Sequence, residues 1–294
     1  MPARKAAGRT GEHEGAPAVR AHPCRAAVRD VDRFHRAQAR AGGFMSQALV
    51  SVVMPAYNAQ AYIRGAVLSV LSQSYASWEL LIVDDASTDG TAALVDALAA
   101  ADDRIRVIHA EVNAGVAAAR NTAMAAARGS HIAFLDSDDA WHSSKLEWQM
   151  RHMEETGSRV CYAPYDRVGE DGRLLSHVRP PANVSYEQML RSNHIGNLTG
   201  IYERSLGDAP FRRVGHEDYV FWLEMVRRAG SATCVPSDHA LAYYLVRDGS
   251  VSADKWRAAC WQWRIYRDVA RLGWLSSSQH MCHYAWQAVM KRVV

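Results

Sequence analysis

Short apolar runs alternate with helix-like segments through the middle of the chain. Four of the runs are rich in β-branched and aliphatic residues and predict strands, whereas the segments between them have the length and composition of helices. The strand-like runs lie at 50–58, 79–83, 105–109 and 131–135, and the helix-like segments lie at 61–73, 92–100 and 116–127. This alternation predicts an α/β fold with a mostly parallel central sheet and helices on both faces.

Three of the predicted strands end in polar residues. Tyr57 lies at the end of the first run, Asp84 and Asp85 follow the second, and Asp136 and Asp138 follow the fourth. Because parallel strands place their carboxyl ends at one edge of a sheet, where ligands of such sheets bind, these side chains are expected to share a site.

The acidic strand end at 134–139, with the sequence FLDSDD, has three carboxylates in four residues. Like charges this close repel one another unless solvent or a cation separates them, and oxygen ligands suit a hard divalent ion such as Mg²⁺ or Mn²⁺. An acidic loop that caps the next helix is the alternative interpretation.

Four sequence blocks resemble a known family in order and spacing. VSVVMPAYN, ELLIVDDASTDGT, NAGVAAARN and HIAFLDSDD are similar to blocks of the inverting family 2 glycosyltransferases of bacterial surface-polysaccharide synthesis, which have the GT-A nucleotide-sugar fold. The resemblance covers roughly residues 50–252 and includes GHEDYVFWL, which is similar to the acidic catalytic motif of that family. It implies a GT-A fold with additional C-terminal helices.

The resemblance also implies roles for individual residues. Asp138 would bind the Mg²⁺ or Mn²⁺ ion that bridges the diphosphate of the donor, and Asp218, with Glu217 beside it, would be the general base. Asp85 would accept the N–H of a uracil base. The expected nucleotide-sugar-binding residues are Pro55, Ala56, Tyr57, Asn58, Asp84, Asp85, Arg120, Asp136 and Arg247.

Several of these residues have a second interpretation. Tyr57 is also consistent with packing at a strand end, Asp84 with fixing a loop, and Arg120 with an exposed position or a pair with Asp138. The Glu217-Asp218 pair also suits the first turn of a helix, where negative charge is favourable, and both roles are compatible.

The later part of the matched region is expected to shape the acceptor side. Residues 159–166 predict another strand, and residues 193–200 resemble the acceptor-side segment of polysaccharide transferases, with Asn197 and Thr199 as candidate lining residues; an ordinary turn is the alternative. Many relatives have an Arg and a His in the segment matched by residues 243–252, but this chain has Leu245 and Arg247. Arg247 is expected to clamp the diphosphate directly.

The two ends differ from the middle in composition. Residues 1–44 hold nine Lys and Arg against four Asp and Glu, predicting a disordered basic extension before a catalytic domain at 45–252, and Met45 directly precedes the first strand. Residues 253–294 predict helices that either pack on this domain or lie in a membrane interface. A membrane-spanning helix is not predicted, because the chain has no apolar run of about 18 residues. The expected stripe on these helices consists of Trp256, Cys260, Trp263, Tyr266 and Ala270.

The sequence therefore predicts transfer of a sugar, with inversion, from a UDP-sugar to a saccharide acceptor carried on a polyprenyl diphosphate. We expect this enzyme in the cytoplasm, at the inner face of the membrane and with peripheral membrane contact, and we expect no nucleic-acid partner. Five scattered cysteines without a CxxC pair agree with a reducing compartment. The alternatives are a nucleotidyltransferase, which leaves the Glu217-Asp218 block unexplained, and a non-catalytic carbohydrate-binding protein descended from a transferase.

Overall fold

The computed structural model describes residues 47–247 and 255–290, and within the second range it describes the side chains of residues 259–284. The predicted basic extension at 1–44, the start at Met45 and the side chain of Trp256 lie outside the described residues.

The described residues form eight α-helices and twelve strands, and the strands are arranged in two sheets. The strands are β1 (Val50–Ala56), β2 (Trp78–Asp84), β3 (Ile105–His109), β4 (His131–Phe134), β5 (Ala140–Trp141), β6 (Val160–Tyr162), β7 (Tyr165–Gly169), β8 (Leu174–Val178), β9 (Asn183–Ser185), β10 (Ile201–Glu203), β11 (Ser231–Cys234) and β12 (Ala242–Val246). The helices are α1 (Ile63–Leu71), α2 (Thr91–Ala99), α3 (Val116–Ala126), α4 (Lys145–Thr156), α5 (Tyr186–Arg191), α6 (Glu217–Ala229), α7 (Lys255–Arg264) and α8 (Trp274–Met290).

The main sheet has the strand order β3-β2-β1-β4-β10-β6-β11-β9. The four strands predicted from the apolar runs are its neighbours β3, β2, β1 and β4, and all of them pair in parallel. Their carboxyl ends therefore meet at one edge, as predicted. Strand β10 pairs antiparallel with both β4 and β6, so the sheet changes character next to the acidic strand end.

Alternate residues of the central strands enter two separate hydrophobic cores. Val52 and Met54 of β1 point into a core with α1, α2 and α4, whereas Val53 points into a core with α3 and α6. Because side chains alternate across a strand, a strand buried on both faces needs apolar residues at every position. The continuous apolar runs of the sequence thus reflect a sheet covered on both faces.

The strand predicted at 159–166 is wrong in its length, because the structure divides it into β6 and β7. Proline cannot donate a backbone hydrogen bond, and the break falls at Ala163-Pro164. After it, β7 joins a second sheet with the order β5-β12-β7-β8. This smaller sheet was not predicted, and through β12 it brings Tyr244 and Leu245 next to the acidic strand end.

The C-terminal helices pack on α5 and α6, and the packed face includes Tyr266 of the predicted stripe but not Cys260. Helix α7 continues into a π-helix at Ile265–Val269, and Tyr266 donates a hydrogen bond to the Leu190 carbonyl at 2.7 Å. Cys260, expected on the packed face, is exposed, whereas Gln262 is buried and donates to the Tyr219 hydroxyl at 3.4 Å. Among the described residues, every helix is too short or too polar to cross a bilayer.

Candidate active site

A cavity of about 1180 Å³ opens at the carboxyl edge of the main sheet. The loops after β1, β2 and β4 form one side of it, and the segment before α6 together with α7 forms the other. Ten of the predicted site residues line it: Pro55, Ala56, Tyr57, Asp85, Arg120, Asp136, Asp138, Glu217, Asp218 and Arg247. The structure thus brings together residues that are separated by up to 192 positions in the sequence.

Asp85 is fixed at the bottom of this cavity by backbone amides. Its two carboxylate oxygens accept hydrogen bonds from Ala114 N at 2.9 Å and Gly115 N at 2.7 Å, and the side chain is buried. A carboxylate oxygen has a second lone pair, so each can accept one further hydrogen bond. The amides hold Asp85 in one orientation and leave it able to accept an N–H of a ligand.

Arg120 forms a buried ion pair with Asp136. Its Nη2 lies 2.7 Å from Asp136 Oδ1, and the guanidinium carbon lies 5.1 Å from the centroid of the Phe211 ring. Burial disfavours the charge on Arg120, but the carboxylates around it outweigh burial, and its pKa is raised. Arg120 is therefore a permanent cation beside the acidic cluster. The carboxylate that pairs with it is Asp136, whereas the sequence analysis considered Asp138.

Asp138 and Asp139 have different environments although they are adjacent. Arg247 Nη2 lies 2.6 Å from Asp138 Oδ2, while burial and the neighbouring Asp136 raise the pKa of Asp138. Asp139 is buried behind the cavity, accepts a hydrogen bond from Leu245 N at 2.9 Å and has a strongly raised pKa because of burial and its acidic neighbours. Asp139 thus holds β12 in place, and Asp138 faces the cavity.

Four predicted site residues lie outside this cavity: Asn197, which lines the smaller cavity described below, and Asp84, Asn58 and Thr199, which line neither. Asp84 is buried, accepts a hydrogen bond from Ser87 N at 3.2 Å and contacts His109 Nδ1 at 3.2 Å, which agrees with the loop-fixing interpretation. Asn58 has a φ of 49° and accepts a hydrogen bond from Thr88 N at 2.8 Å, so it connects two loops. The Thr199 hydroxyl is fully buried and donates to the Gly196 carbonyl. We retain none of these last three as a ligand contact.

A second cavity of about 740 Å³ adjoins the first. Asp218, Arg120, Asp136 and Tyr244 line both, whereas Glu217 lines only the first. Asn197 is on the wall of the second cavity.

The amide of Asn197 is only partly satisfied by the protein. Its Oδ1 accepts a hydrogen bond from the Trp222 indole at 3.2 Å, and its buried Nδ2 has no partner among the described residues. An unsatisfied buried donor is costly, so this Nδ2 is available to a ligand hydroxyl.

Ten lining residues of the larger cavity escaped the sequence-based predictions, among them Arg213, His216, Trp261 and Arg264. His216 has a left-handed backbone at φ 49°, directly before α6, and its ring meets the Trp261 ring edge-to-face at 5.2 Å. The family resemblance quoted GHEDY and thus included His216, but no local signal connects it to a tryptophan 45 positions later. These contacts arise only when α7 folds back over the loop before α6.

The described residues contain no group of three or more His, Cys, Asp or Glu side chains arranged to hold a metal ion. Two of the carboxylates in the cavity, Asp136 and Asp138, follow β4, and burial together with the neighbouring Asp136 raises the pKa of Asp138. Mg²⁺ is commonly held by one or two carboxylates together with substrate phosphates and waters. This donor set fits a cation that shares its coordination with a bound diphosphate.

The fold is that of the GT-A nucleotide-sugar class. The crystal structure of TarS residues 1–349 from S. aureus, in complex with UDP-GlcNAc, has the same fold, with a TM-score of 0.64 and 24% sequence identity over 80% of this chain and 71% of that one. This likeness confirms the predicted fold class.

The chain belongs to glycosyl transferase family 2, whose model matches residues 51–215. It is 37% identical to TuaG of Bacillus subtilis (strain 168), a glycosyltransferase named for teichuronic acid biosynthesis, over 83% of this chain and 98% of TuaG. It is 35% identical to WfgD of Escherichia coli, named a UDP-Glc:α-D-GlcNAc-diphosphoundecaprenol β-1,3-glucosyltransferase, over 76% of this chain and 87% of WfgD. The predicted enzyme class, a glycosyltransferase related to those of surface-polysaccharide synthesis, is thereby confirmed.

Proposed function

We propose that the protein transfers a sugar from a UDP-sugar to a saccharide acceptor on a polyprenyl diphosphate, and that Asp218 is the general base. The position of Asp218 at the junction of the two cavities carries this proposal. With the donor in the larger cavity and the acceptor saccharide in the smaller one, a carboxylate between them is suitably placed to take the proton of the attacking hydroxyl.

The donor side follows from the residues of the larger cavity. Asp85 accepts an N–H of the uracil base, and Tyr57, which is half exposed at the cavity mouth, packs on the nucleotide. Arg120 and Arg247 supply positive charge near the diphosphate, where a guanidinium matches the phosphate geometry.

The acidic pair Asp136 and Asp138 would hold Mg²⁺ or Mn²⁺ together with the diphosphate of the donor. When bound, such an ion stabilises the negative charge that collects on the leaving diphosphate. In the structure Arg247 pairs with Asp138. When the donor and the metal ion bind, Arg247 would exchange this carboxylate for the diphosphate.

Direct displacement at the anomeric carbon requires the base and the leaving group on opposite faces of the donor sugar. Asp136 and Asp138 follow β4 and Asp218 lies in the first turn of α6, so different elements carry the acidic pair and the proposed base. This arrangement is compatible with single displacement and inversion. An α-linked donor would then give a β-linked product.

Two isosteric substitutions test the assignment of the base. Asp218→Asn is expected to bind UDP with Mn²⁺ as the parent does and to lower kcat by about 100-fold or more, because an amide cannot accept the proton. Glu217→Gln is the matched control, and we expect a much smaller loss because Glu217 lines only the donor cavity. Near-normal turnover of Asp218→Asn would reject Asp218 as the base.

Product analysis separates the main proposal from nucleotidyl transfer. Incubation with UDP-glucose, UDP-galactose or UDP-N-acetylglucosamine and a lipid-diphosphate-linked sugar should release UDP. Release of pyrophosphate from a nucleoside triphosphate and a sugar phosphate would contradict glycosyl transfer. Turnover with none of these pairs, in a protein that binds the acceptor saccharide, would favour a binding function.

A further inference from the structure

The turn that leads from the π-helix into α8, residues 271–275 with the first two residues of α8 included, exposes two large apolar side chains. Leu275 is 89% exposed and Trp274 is 68% exposed, the largest values for adjacent apolar residues in the described part of the chain. Full exposure of both side chains to water is unfavourable, since burial of a leucine-sized side chain is worth about 1.5–3 kcal/mol.

The turn is held in this shape by the protein. Arg267 donates a hydrogen bond to the Leu272 carbonyl, and Leu272 N donates to the Tyr266 carbonyl at 2.9 Å. Trp263 lies 5.8 Å from Trp274 between ring centroids, so a partly buried indole supports the exposed one. The apolar pair is thus presented on a folded support.

Positive charge surrounds the apolar pair. The guanidinium of Arg267 lies 4.4 Å from the centroid of the Trp274 ring, Arg271 is exposed within the turn, and Arg264 is exposed one helical turn before Arg267. Asp268 is the exposed acid among them, which leaves a positive excess. Tryptophan and leucine beside arginine suit the boundary between lipid headgroups and acyl chains, particularly in an anionic bilayer.

The same helical segment reaches the active site. Trp261 and Arg264 line the larger cavity, and the apolar turn begins only seven residues after Arg264. A surface that binds the turn would therefore lie close to the cavity. We propose that residues 271–275 dock the protein on an anionic lipid surface, with Trp274 and Leu275 inserted and Arg267 and Arg271 at the headgroups.

Vesicle sedimentation tests this docking surface. The parent protein should bind vesicles of equal parts phosphatidylglycerol and phosphatidylcholine, bind phosphatidylcholine vesicles much more weakly, and be released by salt. A double variant with Trp274→Ser and Leu275→Ser should lose binding to the mixed vesicles by about tenfold or more, because two buried apolar side chains are removed. Its melting temperature should remain close to that of the parent.

The β7–β8 hairpin supplies matched controls. Leu174 and Leu175 are 45% and 43% exposed, so replacing both by Ser removes a similar apolar pair from a different surface and should leave vesicle binding unchanged. Arg271→Asn should weaken binding about fivefold, because one arginine near an anionic surface is worth about 1 kcal/mol and Asn tolerates the φ of 52° at this position. Arg173→Asn, at an exposed arginine of the hairpin, is its control.

Three results would overturn the proposal: a parent protein that does not bind the mixed vesicles, a Trp274/Leu275 double variant that binds as well as the parent, or an equal loss in the hairpin variant. Sedimentation velocity without lipid is run beside the assay. A dimer that the double variant abolishes would assign the surface to a second copy of the chain instead. The measurement contains neither donor nor acceptor, so its outcome is independent of the proposed transfer reaction.

Discussion

Substituting Gly215 by alanine tests how the loop before α6 is held beside the cavity. Gly215 has a φ of +71°, and a Cβ built on it would lie 2.5 Å from Trp261 Cε2 and 2.6 Å from Trp261 Cγ. An ordinary contact needs about 3.5–4.0 Å, so the loop or the indole must shift by about 1 Å. Asp218 lies three residues later and would shift with the loop.

Two costs can be separated in this substitution. The left-handed backbone costs alanine about 1–2 kcal/mol, and this cost alone lowers stability without moving the site. The clash with Trp261 also displaces the loop that leads to Asp218. A shift of about 1 Å in a catalytic group can lower the rate by about 100-fold. We therefore expect Gly215→Ala to lower kcat by about that factor.

The assay is steady-state turnover at saturating donor together with a thermal melt. Gly157→Ala is the matched control, because Gly157 has a similar φ of +68° and open space where a Cβ would be placed. It should lose stability but keep its kcat. Combining Gly215→Ala with Trp261→Ala should recover turnover to the level of Trp261→Ala alone, since the obstacle is then absent. A kcat within twofold of the parent for Gly215→Ala would refute the reasoning.

Three further substitutions test other parts of the structure. Asp138→Ala should abolish the Mn²⁺ dependence of UDP binding in calorimetry, and unchanged affinity would exclude Asp138 from the metal site. Asn197→Asp should raise the acceptor KM by about tenfold and leave the donor KM unchanged, because Trp222 keeps its partner while the amide donor is lost; an unchanged acceptor KM would contradict this role. Lys145 is buried, donates to Gln149 Oε1 at 2.6 Å, and burial lowers its pKa to about 7. The unfolded chain holds this proton up to about pH 10.4, so the cost of burying Lys145 is greatest below about pH 7 and shrinks as the pH rises. The stability gained by Lys145→Met in urea unfolding should therefore fall by about 1.4 kcal/mol per pH unit above 7, and a gain independent of pH would exclude this titration.

The grouping of polar residues at the carboxyl edge of the main sheet was predictable because it is encoded locally. Strands β1 to β4 are continuous apolar runs, and polar residues such as Tyr57, Asp85 and Asp138 follow them directly, so parallel topology alone places them together. The structure brings these three side chains to one cavity. Their ligand contacts stay predictions.

The remainder depends on contacts between distant parts of the chain. Hydrophobic periodicity placed Cys260 on the packed face of α7 and did not include Gln262, which is buried and donates a hydrogen bond to the Tyr219 hydroxyl. The contact of Trp261 with His216 has no local signature either. The strand at 159–166 was predicted too long because its apolar residues continue through a proline.

The hydrogen bond between Trp222 and Asn197 has a consequence for changing what the enzyme accepts. Trp222 belongs to α6, whose first turn bears Asp218, so this helix links the proposed base and the Asn197 amide into one unit. The neighbouring wall of the second cavity, residues 192–195, lies outside that unit. Acceptor preference can therefore be redesigned by exchanging side chains at 192–195, while the helix that carries Asp218 and holds Asn197 is left unchanged.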